Sequence, residues 1–331
     1  MTRSMRRFTT TSSSLLHSKE YFEEIIKRFP DLDFAMAYGS GVYAQKGYSD
    51  QKSPTIDMIF ATSDAESWHK ENLRRHASHY AQPMRMLGAK SITRLQRSGG
   101  ANVYYHPFVD LGDGNQLKYG VISTQDLEKD LREWSTMFVA GRMHKPTLTV
   151  KTTEMLSKLQ AENIRYALNT SILLMPREFK FDQLFLALTS LSYGGDPRFD
   201  FGAENQNKVS NIVNANREGF MSMYDNLLKS TSGLTIQGDS KVGDSTFERS
   251  MDDSHVLQLC HDIPFSLGSD TTILKLHHDG KLPKAVRSVL STRVRKAAPG
   301  QYAKGIMTAG VFKSLVYLKD KFSKGLFSSS R

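Results

Sequence analysis

Tyr38-Gly39-Ser40-Gly41 closes a short apolar run, Phe34–Tyr38, and Asp57 lies 18 residues beyond Gly39, at the start of a second run, Ile56–Ala61. Two chemistries place a glycine turn after one strand and an acid on another. Read as G-x-G-x-x-A, ending at Ala44, the pattern mimics a dinucleotide-binding fingerprint. That motif needs a full helix straight after the glycines, and here Gly47 and Tyr48-Ser49-Asp50 interrupt any helix. Its acid also ends a strand, whereas Asp57 opens one. The second chemistry is nucleotidyl transfer. Glycine lets backbone N–H groups approach a triphosphate, and Ser40 adds a hydroxyl donor. An Asp on the adjacent strand then holds Mg²⁺ against the phosphates during in-line displacement. As a bare pattern, an ordinary turn and a strand-end acid explain the same residues.

These residues depend on the elements around them. A stripe of Tyr21, Phe22, Ile25, Ile26 and Phe29, stopped by Pro30, predicts a helix over 18–29. Strands are expected at 34–38, 56–61, 102–105, 108–111 and 117–122, with Asp113-Gly114 as a hairpin turn and helices near 65–77 and 91–97. Consecutive hairpin strands require antiparallel pairing, so residues 20–145 read as a mixed α/β domain. From Ser123 the pattern turns helical, with helices expected near 125–138, 153–175, 179–192 and 205–229. Residues 230–255 are rich in Gly, Ser and Asp and are expected to form a mobile loop within a helical domain spanning 146–280. Two last helices are expected near 283–296 and 303–327.

At 331 residues the chain is long enough for two domains. Its net charge of +10 is unevenly placed: residues 1–19 carry +4, residues 281–331 carry +11, and the stretch between sums to −5. An acidic middle argues against a nucleic-acid partner. The acid-free, Arg- and Ser/Thr-rich residues 1–19 have the composition of a mitochondrial presequence, a disordered basic tail being the alternative. The lone Cys260 excludes a disulfide framework and reads as a small packed side chain. The longest apolar runs are five residues, far short of the ~20 that span a bilayer.

Several further motifs recur with the Gly-Ser turn in a fixed order. They are Ile56-Asp57-Met58-Ile59-Phe60, Ser78-His79-Tyr80, Val103-Tyr104-Tyr105 and Lys118-Tyr119-Gly120-Val121-Ile122-Ser123. Ala140-Gly141-Arg142-Met143-His144-Lys145-Pro146 follows, then Gln301, Lys304-Gly305-Ile306, Gly310 and Lys313-Ser314. In these, from about residue 20 to 325, the chain resembles the mitochondrial phosphatidate cytidylyltransferases of the translocator-assembly-and-maintenance type. The resemblance implies an α/β nucleotidyltransferase domain with a mixed sheet, a helical, winged-helix-like domain, and a C-terminal amphipathic helix. It implies the reaction of CTP and phosphatidate to CDP-diacylglycerol and pyrophosphate, with Mg²⁺, by a peripheral protein on the matrix side of the mitochondrial inner membrane. A nucleotidyltransferase acting on RNA or a small alcohol, and a non-catalytic membrane-bound assembly factor, are the alternatives.

With the resemblance, Tyr38, Gly39, Ser40, Gly41, His79 and Lys118 become the nucleotide-binding candidates, and Asp57, Lys118 and Ser40 the catalytic ones. Nucleotidyltransferases usually carry two carboxylates as D-x-D, but position 59 is Ile. The sequence thus offers one certain acid, Asp57, for the metal, with Asp110, or less favourably the turn residue Asp113, as candidates to complete the shell. A phosphate monoester, with a second pKa near ~6, is already largely dianionic at neutral pH and needs no general base. Two unit like charges at ~4 Å repel by about 4 kcal/mol at an effective dielectric of 20, so cations must offset the approach. Arg142, Lys145, Arg293, Arg295, Lys304 and Lys313 are the candidates for the lipid phosphate or the membrane. In Gly310–Phe327, Phe312, Leu315, Val316, Phe322 and Leu326 recur at helical spacing among lysines, which suits an anionic bilayer surface.

Overall fold

The computed structural model describes residues 15–43, 55–200, 202, 204–237 and 245–309. Helix α1 (Lys19–Lys27) starts at Ser18, whose hydroxyl accepts from the Tyr21 N–H, and leads to β1 (Phe34–Tyr38) and β2 (Ile56–Thr62). Helices α2 (Ala65–Arg75) and α3 (Gln82–Arg97) follow, then β3 (Tyr104–Asp110), β4 (Gln116–Ser123) and α4 (Thr124–Glu133). A short α5 (Ala140–Met143) and β5 (Thr147–Lys151) complete a five-stranded sheet in the order β3-β4-β2-β1-β5. Only the β2–β4 pair is parallel; β1–β2, β1–β5 and β3–β4 are antiparallel, the last being the hairpin expected at Asp113-Gly114. A parallel pair needs a long crossover, which α2, α3 and β3 supply.

Alternation along the strands separates two faces. Ala35, Ala37, Met58, Phe60, Tyr119 and Val121 pack with Phe22, Ile25, Phe29 and Trp68 of α1 and α2. Phe34, Met36, Ile59, Ala61 and Ile122 face the other way, into a core shared with the helical part. That part comprises α6 (Glu154–Leu173), α7 (Phe181–Ser190), α8 (Pro197–Asp200), α9 (Lys208–Ala215), α10 (Arg217–Ser230), α11 (Asp253–His261), α12 (Asp270–His278) and α13 (Leu282–Ala309). The boundary expected at 145 cuts a continuous structure: β5 lies beyond it, hydrogen-bonded to β1, and one core joins both sides.

Other expectations are corrected by packing. Strands expected at 102–105 and 108–111 are one strand, β3, bulged between His106 and Val109, with Phe108 at φ 58°. Residues 230–255 are not all loop. They contain β7 (Leu234–Gln237) and β8 (Thr246–Arg249), which join β6 (Glu178–Lys180) in the order β6-β8-β7; residues 238–244 lie outside the described residues. The hairpin is held by Phe247, fully buried and stacked on Phe179 at 5.5 Å. The helix expected over 205–229 divides at Asn216. The helix expected near 283–296 and the start of the one expected near 303–327 are continuous as α13, which runs through Pro299. Its Leu282, Val286, Leu290, Val294, Ala297 and Gln301 are buried, so 282–309 docks on the protein's own core, while Gly310–Phe327 lies outside the described residues. No described helix is long and apolar enough to cross a membrane.

Two buried polar systems hold the sheet to its helices. Behind it, Asn72 donates to the Tyr80 and Tyr119 hydroxyls, both at 3.0 Å, and His69 joins Tyr80 and Gln96 at 2.9 and 2.8 Å. In front, the buried Asp130 carboxylate accepts the backbone N–H groups of Thr136, Met137, Val139 and Ala140 at 2.8–3.0 Å. The loop so held includes two left-handed non-glycine residues, Trp134 (φ 50°) and Met137 (φ 55°). Asp130→Ala should therefore destabilise the protein by about 3 kcal/mol or more in chemical denaturation, because four buried donors lose their acceptor. Burial lowers the His69 pKa to about 4 and pushes that of His106 well below its ordinary value. The unfolded chain binds protons there that the native protein does not, so stability should fall as pH drops from about 6.5 towards 4. Denaturation midpoints at pH 7 and pH 4.5 measure it.

Candidate active site

The register of the central strands builds the site. Tyr38 on β1 lies opposite Asp57 on β2, and Asp57 opposite Lys118 on β4, so the three side chains form a row on one face. Lys118 Nζ lies 3.3 Å from Asp57 Oδ1 and 5.0 Å from the centre of the Tyr105 ring. Despite that ion pair, Asp57 Oδ1 is buried and accepts no well-directed hydrogen bond. Gly120 lets Tyr105 lean into this row, since a Cβ there would come within 2.7–3.0 Å of Val103, Tyr105 and Ile59. The turn after β1 presses against the same acid. Gly39 is left-handed at φ 83°, and its carbonyl accepts from the N–H groups of Val42 and Tyr43. Gly41 sits where a Cβ would meet the Thr55 carbonyl oxygen at 2.4 Å, so only glycine lets the turn lie against β2.

Facing the row is a second wall. The two enclose a cleft of about 420 Å³ that Tyr38, Gly39, Ser40, Asp57, Lys118, Arg142 and Lys145 all line. Arg142, on α5, donates to the Phe138 carbonyl and lies 3.8 Å from the Phe138 ring centre and 5.3 Å from that of Tyr38. Its Nε is buried without a hydrogen-bond partner. The Lys145 ammonium donates to the Gly141 carbonyl and, at 3.0 Å, to the Ser192 hydroxyl. Among the described residues neither cation forms an ion pair with a carboxylate. Burial, with Arg142 and Lys208 nearby, holds the Lys145 amine well below its ordinary pKa. This is an unneutralised, desolvated pair of cations, which suits an incoming anion.

Sequence reasoning missed the far end of this wall. Arg198 on α8 pairs with Asp196 at 2.7 Å and Glu204 at 3.3 Å, and Lys208 on α9 pairs with Glu204 at 2.9 Å. Tyr193 lies between Lys145 and Lys208, whose ammonium groups are 4.9 and 5.4 Å from its ring centre. Tyr302 of α13 donates to Asp196 at 2.7 Å and stacks on Arg198. Their only sequence signal is a local cluster of charge between 193 and 208, which does not say what it faces.

Other candidates lie elsewhere. His79 is behind the sheet, bonded to the Tyr119 hydroxyl at 2.9 Å, with its pKa lowered to about 4 by burial. Asp110 and Asp113 do not reach Asp57. Asp110 accepts the Gly112 N–H at 2.8 Å within the β3–β4 hairpin, and Asp113 accepts the Tyr21 hydroxyl at 2.7 Å and the Asn115 N–H at 2.9 Å. These bonds hold the Asp113 carboxyl down at about 2. Lys304 is buried, donating to the carbonyls of Gln96 and Gly99 at 2.8 Å each, and serves the α3–α13 junction rather than a phosphate. Arg293 caps the end of α4 through the carbonyls of Glu133 and Trp134. Arg295 is exposed on α13 away from the cleft lining, and Lys313 lies outside the described residues.

Comparison with known proteins places the chain in a family. A family model described as "Phosphatidate cytidylyltransferase, mitochondrial" matches residues 22–324. The chain belongs to this family. A Rattus norvegicus relative of that name is 34% identical over 326 residues, covering 93% of this chain and 96% of its own. A Bos taurus relative is 36% identical over 318 residues (92% and 93%), and one from Schizosaccharomyces pombe is 34% identical over 334 (94% and 84%). The matched region contains both walls of the cleft.

Among the described residues no three His, Cys, Asp or Glu side chains converge as a metal site. Mg²⁺ characteristically takes one or two carboxylates and completes its shell with substrate phosphates and water. Asp57, with one buried oxygen lacking a directed hydrogen bond at the cleft floor, fits the single-carboxylate form of such a site.

The depressed Lys145 pKa makes a stability prediction. Between its folded pKa and about 10.5 the unfolded chain holds a proton the native one lacks, so burial of this amine costs stability that is regained as pH rises. Lys145→Met should thus stabilise the protein at pH 7 by about 1 kcal/mol in anion-free buffer while weakening binding of a phosphate monoester such as glycerol 3-phosphate. A melting series with and without glycerol 3-phosphate tests both signs.

Proposed function

We propose that this chain transfers CMP from CTP to phosphatidate, giving CDP-diacylglycerol and pyrophosphate. We read the sheet with its Gly-Ser turn as a nucleotidyltransferase-type domain and the helical part, with its small β6-β8-β7 sheet, as winged-helix-like. The relatives' name supplies the two substrates; the cleft supplies the means. The observation that carries the reading is the facing of two unlike cationic sites. One, Lys118, is tied to a carboxylate on the sheet; the other, Arg142 with Lys145, has no carboxylate partner among the described residues.

In this reading the Gly39-Ser40-Gly41 turn and Lys118 hold the triphosphate. Mg²⁺, held by Asp57 and the phosphate oxygens, supplies charge neutralisation at the α- and β-phosphates when bound. Arg142 and Lys145 receive the phosphatidate phosphate and aim one oxygen at the α-phosphorus. A new P–O bond forms there as the α–β bridge bond breaks and pyrophosphate leaves with the bond's electron pair. The nucleophile is already dianionic, so no side chain need act as a base. Lys145 is poised to receive it, because an anion beside the amine raises its pKa and favours the charged form.

A lipid substrate places the work at a membrane surface. We assign the protein to the matrix side of the mitochondrial inner membrane as a peripheral protein, with residues 1–19 as the presequence and Gly310–Phe327 as a membrane-binding helix. Pyrophosphate release from CTP with phosphatidate vesicles and Mg²⁺ tests the reaction. Asp57→Asn should lower the rate by about 10²-fold or more without changing the melting temperature. An inactive wild type, or an unimpaired Asp57→Asn, overturns the reading.

A further inference from the structure

From Asn72 to Val109 the chain has 38 consecutive residues without a single Asp or Glu, and they include Arg74, Arg75, Arg85, Lys90, Arg94 and Arg97. The −5 of the chain's middle hides this stretch. Arg74 and Arg75 are held by Glu71, and Arg97 lies 3.9 Å from Asp126. Among the described residues Arg85, Lys90 and Arg94 form no ion pair. All three are exposed on α3, and Lys90, Arg94 and Arg97 recur at the spacing of one helix face.

The same helix carries the largest exposed apolar side chains of its surroundings. Met86 is 82% exposed and Leu87 59% exposed, side by side next to Arg85. They stand at a break: Gly88, at φ 74° and ψ 178°, adopts a conformation essentially restricted to glycine and divides 82–87 from the regular helix beyond. Met84, buried, anchors the projecting turn to the protein. An adjacent Met–Leu pair offered to water on a fixed, kinked turn adds little to the core, and along the helix it is flanked by the exposed Arg85 and Lys90.

We propose that this face of α3 docks on an anionic lipid surface, with Met86 and Leu87 entering the headgroup–acyl boundary and Arg85, Lys90 and Arg94 contacting lipid phosphates. Charge complementarity selects the occupant, since a helix whose Arg85, Lys90 and Arg94 form no ion pair among the described residues, with an apolar tip, matches an anionic bilayer. Gly300 packs on Gly100, and Lys304 binds the carbonyls of Gln96 and Gly99, so α13 docks against the C-terminal end of α3 and leaves its other end to the projecting turn. The proposal rests on the reaction proposed above and deepens it, because it gives an enzyme with a lipid substrate a structurally fixed contact with the membrane.

The test uses the full chain. Trp68 and Trp134 are buried, so a tryptophan introduced by Met86→Trp reports its own surroundings. With vesicles of phosphatidylglycerol and phosphatidylcholine, its emission should shift to the blue and be quenched by brominated acyl chains. Phosphatidylcholine alone should give neither effect. Met86→Asp with Leu87→Asp should weaken flotation with the anionic vesicles by at least about tenfold. That variant should retain wild-type turnover of a short-chain, water-dispersed phosphatidate, which shows that it is folded. Absence of quenching in the Met86→Trp protein, or flotation unchanged by the aspartates, overturns the proposal. So does quenching that appears only after truncation at Ala309, which would assign the patch to the chain's own C-terminal segment. Failure of the wild type to turn over any phosphatidate would instead sink the proposed reaction and leave the quenching result to decide the lipid contact.

Discussion

The parallel pairing of β2 with β4 is the constraint on which the rest depends. It sets Asp57 beside Lys118 in strict register from Ile56↔Leu117 to Thr62↔Ser123, with no turn between them to absorb a slip. A one-residue shift would send the acid or the lysine into the apolar layer behind the sheet. The crossover that makes the pair parallel also accounts for α2, α3 and the polar network of His69, Asn72 and Tyr80 that pins them down. Those buried groups are there to hold the crossover, and His69 is locked neutral as a result.

The second wall has a different logic. Placing Arg142 and Lys145 in a desolvated cleft, with no carboxylate paired to either among the described residues, is unfavourable for the free protein, and the fold offsets it locally. Asp130 clamps the strained loop before α5, and Asn163 joins Trp134, His144 and the Ala140 carbonyl into the same support. Further out, Arg198 and Lys208 are neutralised by Asp196 and Glu204, so the positive potential is concentrated at one depth of the cleft. A site for two phosphate-bearing substrates needs such a gradient, because uniform positive charge would hold the nucleotide in either position.

Residue order was enough to read much of the active wall. The Gly-Ser turn, its strand and the acid on the next strand are local patterns, and β1, β2, α4 and α6 fall close to where periodicity put them. Asp110 and Lys304 misled for a common reason. Each has the right chemistry in the right neighbourhood, but each side chain is used by its own turn or helix junction, and that use is a tertiary fact. Arg198 and Lys208 were invisible because they lie about 140–150 residues from Asp57 in sequence, on helices with no pattern of their own.

By itself the sequence determined the chemistry available: one acid, a phosphate-compatible turn, a basic hairpin strand, and a family whose motifs keep their order. Only the tertiary structure decided which cations face that acid. Strand register and helix docking are long-range matters of shape and burial, and residue type alone does not encode them. The same holds for charge. Summed along the chain, the middle is acidic; folded, one of its faces is cationic and apolar, because packing distributes acids and bases over surfaces that composition averages together.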